Sequence, residues 1–258
     1  MTVMYPESFP TRLYLTNAQT SEFQRKLEEA AILIHEALGK NLSWYVAWSG
    51  GKDSTALAHL VNRIQPGIEV WCEKDDCDFP GELEYVRRVA DMFVFNLNLH
   101  IPDVSLWEHI EEHGIDICED LHSRGTVFSD EHFYAAITEQ EKRHDGVFLG
   151  LRNEESNARR KNTERHGPIY QRKNGKWTCN PLYNWTGTDV FSYLVSNSIP
   201  IFDVYFKTRF VNDPAEIRKS WVLPSAQASE GQALWIKYYY PSLFNRLAQK
   251  YPELRNYV

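Results

Sequence analysis

WYVAWSGGKDSTALAHLVNRI, residues 44–64, changes its hydrophobic period within a few positions. WYVAW is a short aromatic and β-branched run, the signature of a buried strand. SGGKDS, residues 49–54, is a glycine turn, and Leu57, Leu60, Val61 and Ile64 then fall at helical spacing. The order strand, glycine loop, helix leaves backbone N–H groups at a helix N-terminus, two glycines that permit close approach and Lys52 as a point charge. That combination suits a phosphate group. It is not the Walker pattern, which requires glycine where Val46 stands and Ser or Thr where Asp53 stands. It is not the dinucleotide fingerprint either.

Outward from this unit the alternation repeats. Residues 21–38 place Phe23, Leu27, Ala30, Ala31, Ile34 and Leu38 on one helical stripe that ends at Gly39. IEVWCE (68–73) and FVFNLNL (93–99) are strand-like, and a helical pattern through Leu83, Val86, Val89 and Phe93 lies between them. A helix near 131–143 leads into VFLGLR (147–152), a fourth parallel-strand candidate. PIYQRKNGKWTCNPL turns at Asn174-Gly175, a dipeptide suited to a type I′ hairpin. Thr186 and Asp189 form a capping-box spacing before VFSYLVSN, and Pro200 marks the exit. Alternation of this kind predicts an α/β fold, a parallel twisted sheet of about five strands flanked by helices, with a mostly helical C-terminal tail. The expected division is residues 1–205 as an α/β domain that carries the glycine loop and begins with an N-terminal helix, and 206–258 as a helical extension packed on it.

With 258 residues, 43% of them hydrophobic and 24% charged, the chain has enough apolar surface for one ordinary core. No run approaches the ~18 apolar residues of a membrane helix, and the first residues lack a basic segment followed by an apolar one. A cytoplasmic location without membrane insertion is therefore expected. The four cysteines, at 72, 77, 118 and 179, form no CxxC pair and no disulfide framework. A net charge of −7 argues against indiscriminate nucleic-acid binding, yet the charge is segregated. Residues 103–145 carry twelve acids against three bases, whereas residues 150–180 carry eight bases against three acids. The second stretch is either an anion-holding face or a solvated basic one.

Three segments in order carry a family resemblance: SGGKDS (49–54), GLRNEESNAR (150–159) and NPLYNWTGTDV (180–190), with IPI and a tyrosine following at 199–205. Together they resemble the PP-loop ATP pyrophosphatases, in the phosphoadenosine phosphosulfate (PAPS) reductase-like branch. The resemblance implies a five-stranded parallel nucleotide-binding sheet, with ATP and Mg²⁺ as cofactors. It implies that Ser49, Gly50, Gly51, Lys52, Asp53 and Ser54 contact phosphates and that Gly150 and Arg152 border the nucleotide. Lys52, Asp53 and Arg152 would be catalytic, and Arg152, Glu155, Ser156, Arg159 and Arg160 would line the cleft for a second substrate.

The reductases of that branch attack a sulfonyl group with a cysteine thiolate carried near the C-terminus, and residues 180–258 contain no cysteine. The iron-sulfur cysteine pairs of APS-reducing relatives are missing too. The reaction implied instead is attack of an oxygen on the α-phosphorus of ATP, with pyrophosphate leaving beside an exposed Lys52. Sulfur incorporation is the leading context, such as DNA phosphorothioation beside a cysteine desulfurase and other sulfur-transfer subunits, with DNA met through a local basic cleft. A PAPS reductase or sulfate-activating enzyme, and a non-catalytic nucleotide-sensing subunit, are the alternatives.

Other clusters stay open. His109, His113, Cys118 and His122 are either a zinc ligand set or a coincidence of composition, and no metal site is assigned. Cys72 is either a sulfur relay or a small core residue. Asp75, Asp76 and Asp78 are either Mg²⁺ ligands or solvated loop acids. Trp235, Tyr238, Tyr239 and Tyr240 either stack bases or pack the tail.

Overall fold

A computed structural model of the protein describes residues 4–76, 78–105, 107–108, 132–217, 219 and 231–258. The chain begins with α1 (Thr11–Asn17) and α2 (Ser21–Leu38), then runs through β1 (Trp44–Ala47), α3 (Lys52–Ile64), β2 (Glu69–Glu73), α4 (Glu82–Phe93) and β3 (Asn96–His100). It continues with α5 (His132–Arg143), β4 (Gly146–Phe148), α6 (Asn157–His166), β5 (Ile169–Gln171), β6 (Trp177–Cys179) and α7 (Gly187–Ser196), and ends in α8 (Ala233–Tyr239) and α9 (Pro241–Lys250).

The strands form one six-stranded sheet in the order β3-β2-β1-β4-β6-β5. Neighbours from β3 through β6 are parallel, and β5 pairs antiparallel with β6. The sheet therefore has one strand beyond the five expected, an edge strand supplied by the hairpin. The turn of that hairpin also differs from the expected type. The Gly175 N–H donates to the Arg172 carbonyl at 2.9 Å and the Arg172 N–H to the Lys176 carbonyl at 2.7 Å, while positive φ occurs at Gly175 (83°) and not at Asn174. This is a three-residue loop with glycine in the left-handed position, not the two-residue type I′ turn.

Strand alternation divides the core. Trp44, Val46, Val70, Cys72, Phe148 and Cys179 face a large cluster. Tyr45, Trp71 and Val147 face the opposite way, onto Ala136 of α5. With both faces covered, the strands carry apolar residues on successive positions, as parallel strands do. Phe23, Ala30 and Ile34 of the α2 stripe are buried, and the Thr20 hydroxyl caps that helix by accepting the Phe23 N–H at 3.2 Å. The Thr186–Asp189 capping box is present. Asp189 also takes the Lys26 ammonium at 2.8 Å, which ties α2 to α7. Burial opposes the ionisation of Asp189, but the Lys26 and Thr186 donors outweigh it and hold its carboxyl below the usual range. Trp235 of α8 and Phe244, Leu247 and Ala248 of α9 join the large cluster. No helix among the described residues is long and apolar enough to cross a membrane.

The order of the strands places the site. From β1 the chain steps outward through β2 to β3, then returns to the other side of β1 for β4. Ligands of open α/β sheets bind at the carboxyl ends of the strands at such a reversal. The glycine loop leaves β1 at that point.

Candidate nucleotide-binding site

Gly50 adopts a φ of +79°, which only glycine enters without strain, and a Cβ there would meet Val86 Cγ2 at 3.1 Å. Gly51 opens α3 in an extended conformation and, as glycine, brings no capping side chain of its own. Ser49 and Ser54 tie the loop to itself, their hydroxyls 3.0 Å apart, and the Ser49 N–H donates to Ser54 Oγ at 3.2 Å. Behind the loop, the Tyr205 hydroxyl accepts the Lys52 N–H at 3.1 Å. The Tyr205 ring lies 5.4 Å from Lys52 Nζ.

Lys52 is only 6% exposed, so it is not the exposed loop lysine expected. Its ammonium donates to Asp53 Oδ2 at 3.0 Å, and Arg152 Nε donates to the other Asp53 oxygen at 2.6 Å. Arg152 is buried and reaches on to Glu154, whose carboxylate also accepts the Gly187 N–H at 2.8 Å. A relay of alternating charge thus runs from the loop to the first turn of α7. Burial disfavours the Arg152 cation, but Asp53 and Glu155 more than compensate and strengthen its hold on the proton.

Gly150, two residues past β4, closes the site from the other side. A Cβ on it would stand 3.1 Å from Asp53 C and Ser54 N. The cleft that results has a volume of about 380 Å³. The glycine loop, the end of β2 at Trp71, Glu73 and Asp75, and the segment from Leu149 to Leu151 line it, with Glu155 and Arg159 at its rim. A larger cleft of about 1170 Å³ lies between α4 and residues 200–206, but none of the predicted site residues lines it.

The predicted residues are therefore brought together unevenly. Ser49, Gly51, Asp53, Ser54, Gly150, Glu155 and Arg159 line one cleft, while Gly50, Lys52 and Arg152 support it from behind. Ser156 caps α6 by accepting the Arg159 N–H at 3.2 Å. Arg160 bonds Asn157 at 2.8 Å on the exposed side of α6 and does not reach the cleft. No sequence motif points to a role for Tyr205, Glu73 or Glu154. Tyr205 was visible only as the tyrosine after Ile199-Pro-Ile, and Glu73 as the charged end of an otherwise apolar strand.

The remaining candidates divide as follows. Cys72 and Cys179 are buried free thiols. Burial pushes Cys72 up to about 12 and raises Cys179 as well, so neither is a thiolate near neutrality. Asp78 pairs with Lys74 at 3.2 Å, and Asp76 accepts the Ser105 hydroxyl at 2.6 Å. Among the three acids after β2, only Asp75 lines the cleft. Trp235 is buried and donates to the Lys207 carbonyl at 2.8 Å, a packing role. Cys77 and the set His109, His113, Cys118 and His122 lie outside the described residues.

Residues 43–246 match the model of the phosphoadenosine phosphosulfate reductase domain. The chain belongs to that family. Its members include enzymes that act on nucleotides, and the glycine loop with its parallel sheet agrees with that membership. A phosphoadenosine 5′-phosphosulfate reductase of Xanthomonas campestris is 26% identical over 158 residues, which cover 59% of this chain and 61% of the reductase. An uncharacterized protein of Methanocaldococcus jannaschii is 28% identical over 213 residues, covering 80% of this chain and 47% of that protein. The chain thus spans about half to three fifths of these relatives.

Among solved structures, the PAPS reductase of Candida auris superimposes with a TM-score of 0.54 at 17% identity, covering 83% of this chain and 98% of that one. The FMN adenylyltransferase of Candida glabrata, solved in complex with ATP, gives 0.51 at 14% identity, covering 76% and 65%. At these identities the likeness shows the fold.

Proposed function

We propose that the chain binds ATP across the glycine loop and cleaves it between the α and β phosphates, adenylylating an oxygen of a second substrate and releasing pyrophosphate. The observation that carries this reading is the loop itself, a helix N-terminus opened by two glycines, with Lys52 and Arg152 fixed behind it through Asp53. Helix-end N–H groups hold phosphate oxygens, and the two fixed cations stabilise charge that develops on the leaving pyrophosphate. Both are already in place before substrate arrives, so no reorganisation is needed in the transition state.

Mg²⁺ fits the donors present as a cation carried on the nucleotide. Each Asp53 oxygen keeps a lone pair beyond its bond to Lys52 or Arg152, and Asp75 lines the same cleft. One or two carboxylates with phosphate oxygens and water are the usual Mg²⁺ environment. When bound, the ion would supply Lewis-acid stabilisation of phosphate charge. The second substrate would enter at Glu155 and Arg159, beside α6, which buries no residue and carries Arg160, Lys161 and Arg165. That basic approach suits an anionic partner such as a nucleic-acid backbone, and supports sulfur incorporation into DNA as the setting.

Product analysis with labelled ATP tests the reading. AMP or an adenylylated species with pyrophosphate is expected; ADP with inorganic phosphate refutes it. The family match favours a second reading, PAPS reduction, which needs an accessible thiolate. Incubation with PAPS and reduced thioredoxin is expected to give no sulfite, and sustained sulfite that disappears in Cys72→Ser or Cys179→Ser would replace the first reading by the second.

A further inference from the structure

Residues 206–258 carry eight Lys and Arg against four Asp and Glu, whereas the rest of the chain carries twenty against thirty-one. The C-terminal extension is therefore the basic part of an acidic protein, and a polyanion is drawn to it before the body of the chain. One corner of it also exposes rings. Helix α8 buries Ala233, Trp235 and Ile236 and turns Leu234, Lys237 and Tyr238 outward, positions that share a face at i, i+3 and i+4. Arg209 and Phe210, from the segment after Tyr205, stand against Tyr238. Tyr238 is 50% exposed, Phe210 41% and Leu234 39%.

These rings are held in place. Phe210 meets Tyr238 at 89° with centroids 5.4 Å apart, and Tyr239 meets Tyr238 at 87° and 4.8 Å. Arg209 ties the group together: its backbone N–H donates to the Tyr239 hydroxyl at 2.9 Å, Nη1 donates to the Tyr238 hydroxyl at 2.9 Å, and its guanidinium lies 4.7 Å from the Tyr238 ring centroid. Packing of the extension on the domain is served by Trp235 and Tyr240, whose rings both meet Phe79. It does not account for the outward side of Tyr238 and Phe210. Neither Arg209 nor Lys237 has a carboxylate partner among the described residues.

We infer that this corner, Arg209, Phe210 and Tyr238 with Lys237, is a docking platform for single-stranded nucleic acid, its rings stacking on unpaired bases and its cations meeting phosphates. Every base has a face that stacks on an aromatic ring, whereas a duplex keeps those faces inside and presents only edges and phosphates. Tyr205, whose hydroxyl accepts the Lys52 N–H, precedes Arg209 by four residues, a span of at most about 14 Å, so a strand held here lies near the glycine loop. The platform shares no residue with α6, and docking is read without ATP, so the inference does not depend on ATP cleavage.

Fluorescence anisotropy with a labelled oligothymidylate of about 15 nucleotides, and with an abasic strand and a duplex of the same length, tests this. The wild type is expected to bind the oligothymidylate most tightly. Tyr238→Ala and Phe210→Ala are each expected to weaken it roughly 5- to 150-fold, the range for one stacked base, and to leave the abasic strand unchanged. Tyr238→Leu and Phe210→Leu, which keep an apolar contact without a ring, should show the same loss and serve if an alanine variant does not fold. Lys237→Gln is expected to weaken both single strands alike and to reduce the steepness of log affinity against log salt by about 0.7. Equal affinity for the abasic strand or the duplex, or ring variants that bind like the wild type, overturns the inference. So does an absence of binding at about 100 µM protein, the weak end of non-specific affinity. Sedimentation of the same variants covers the other occupant: self-association that is lost in Phe210→Leu while oligothymidylate binding persists would make this face a contact between copies of the chain and overturn the inference as well.

Discussion

Gly150→Ala probes the contact on which the site depends. The added Cβ would lie 3.1 Å from Asp53 C, 3.1 Å from Ser54 N and 3.2 Å from Asp53 O. Carbon contacts are optimal at about 3.5–4.0 Å, so three atoms are approached too closely at once. All three belong to the backbone of the first turn of α3, and no side-chain rotation relieves them. Either the end of β4 or the phosphate loop must retreat by several tenths of an ångström. Overpacking of this kind costs about 1–3 kcal/mol. In a chain of this size that lowers Tm by about 2–12 °C, which differential scanning calorimetry resolves. The retreat also moves Asp53, whose oxygens bridge Lys52 at 3.0 Å and Arg152 at 2.6 Å. Nucleotide affinity, measured by calorimetry well below Tm where the variant is folded, is therefore expected to drop by about tenfold or more. Gly67→Ala is the control. Gly67 has a φ of +81° and no atom within 4 Å of the new Cβ, so the change costs about 1–2 kcal/mol of backbone strain and leaves affinity untouched. A Gly150→Ala protein with wild-type Tm and wild-type affinity would refute the close approach of β4 to α3. Lowered Tm with unchanged affinity would reduce it to a packing contact.

Three further outcomes are expected. Lys52→Met keeps the buried volume beside Tyr205 while removing the charge; pyrophosphate release should fall by at least about tenfold in a folded protein, and unchanged release would remove Lys52 from the mechanism. Lys26→Met leaves Asp189 buried without its cation and should destabilise by about 3–5 kcal/mol in chemical denaturation, with Asp189→Asn recovering part of the loss in the double variant; strict additivity would mean that the pair is not coupled. His59 is buried against Phe93 and Tyr193, and burial, aided by Arg63, lowers its pKa to about 4. Because the folded protein keeps this imidazole neutral while the unfolded chain protonates it near pH 6.5, stability is present above about 6.5 and is lost as pH falls toward 4, by about 3 kcal/mol at most. His59→Gln should flatten the fall of Tm across that window, and an identical slope would show that His59 does not contribute.

What was legible in the sequence is what the chain writes locally. The strand-loop-helix of residues 44–64, the Thr186–Asp189 box and the alternation of the sheet each depend on neighbours a few positions apart. The hairpin shows the limit of that reading. Asn174-Gly175 fits two turn types, and only the pairing of Gln171 with Trp177, with Arg172 bonded to Lys176, selects the three-residue loop. The same pairing creates the sixth strand. Lys52 with Tyr205, and Lys26 with Asp189, are separated by 153 and 163 residues. Nothing in their local spacing announces them.

The site itself lies between these cases. Its residue types were legible, but their division into lining and supporting groups was not, because that division depends on where β4 meets α3. Lys52 illustrates the consequence. As an exposed lysine it would have to lose side-chain freedom on meeting phosphate; buried over Tyr205 and fixed to Asp53, it has lost that freedom on folding. Arg152 is fixed from the same carboxylate, and Glu154 behind it accepts from the first turn of α7, which Asp189 in turn holds to α2 through Lys26. Lys52 and Arg152 are therefore positioned by a chain of pairs, buried or half-buried except at the exposed Glu154, that runs across three helices. Substitutions in α2 and α7, far from any nucleotide, should disturb the geometry of the loop through that chain, whereas Arg160 on the exposed side of α6 should not.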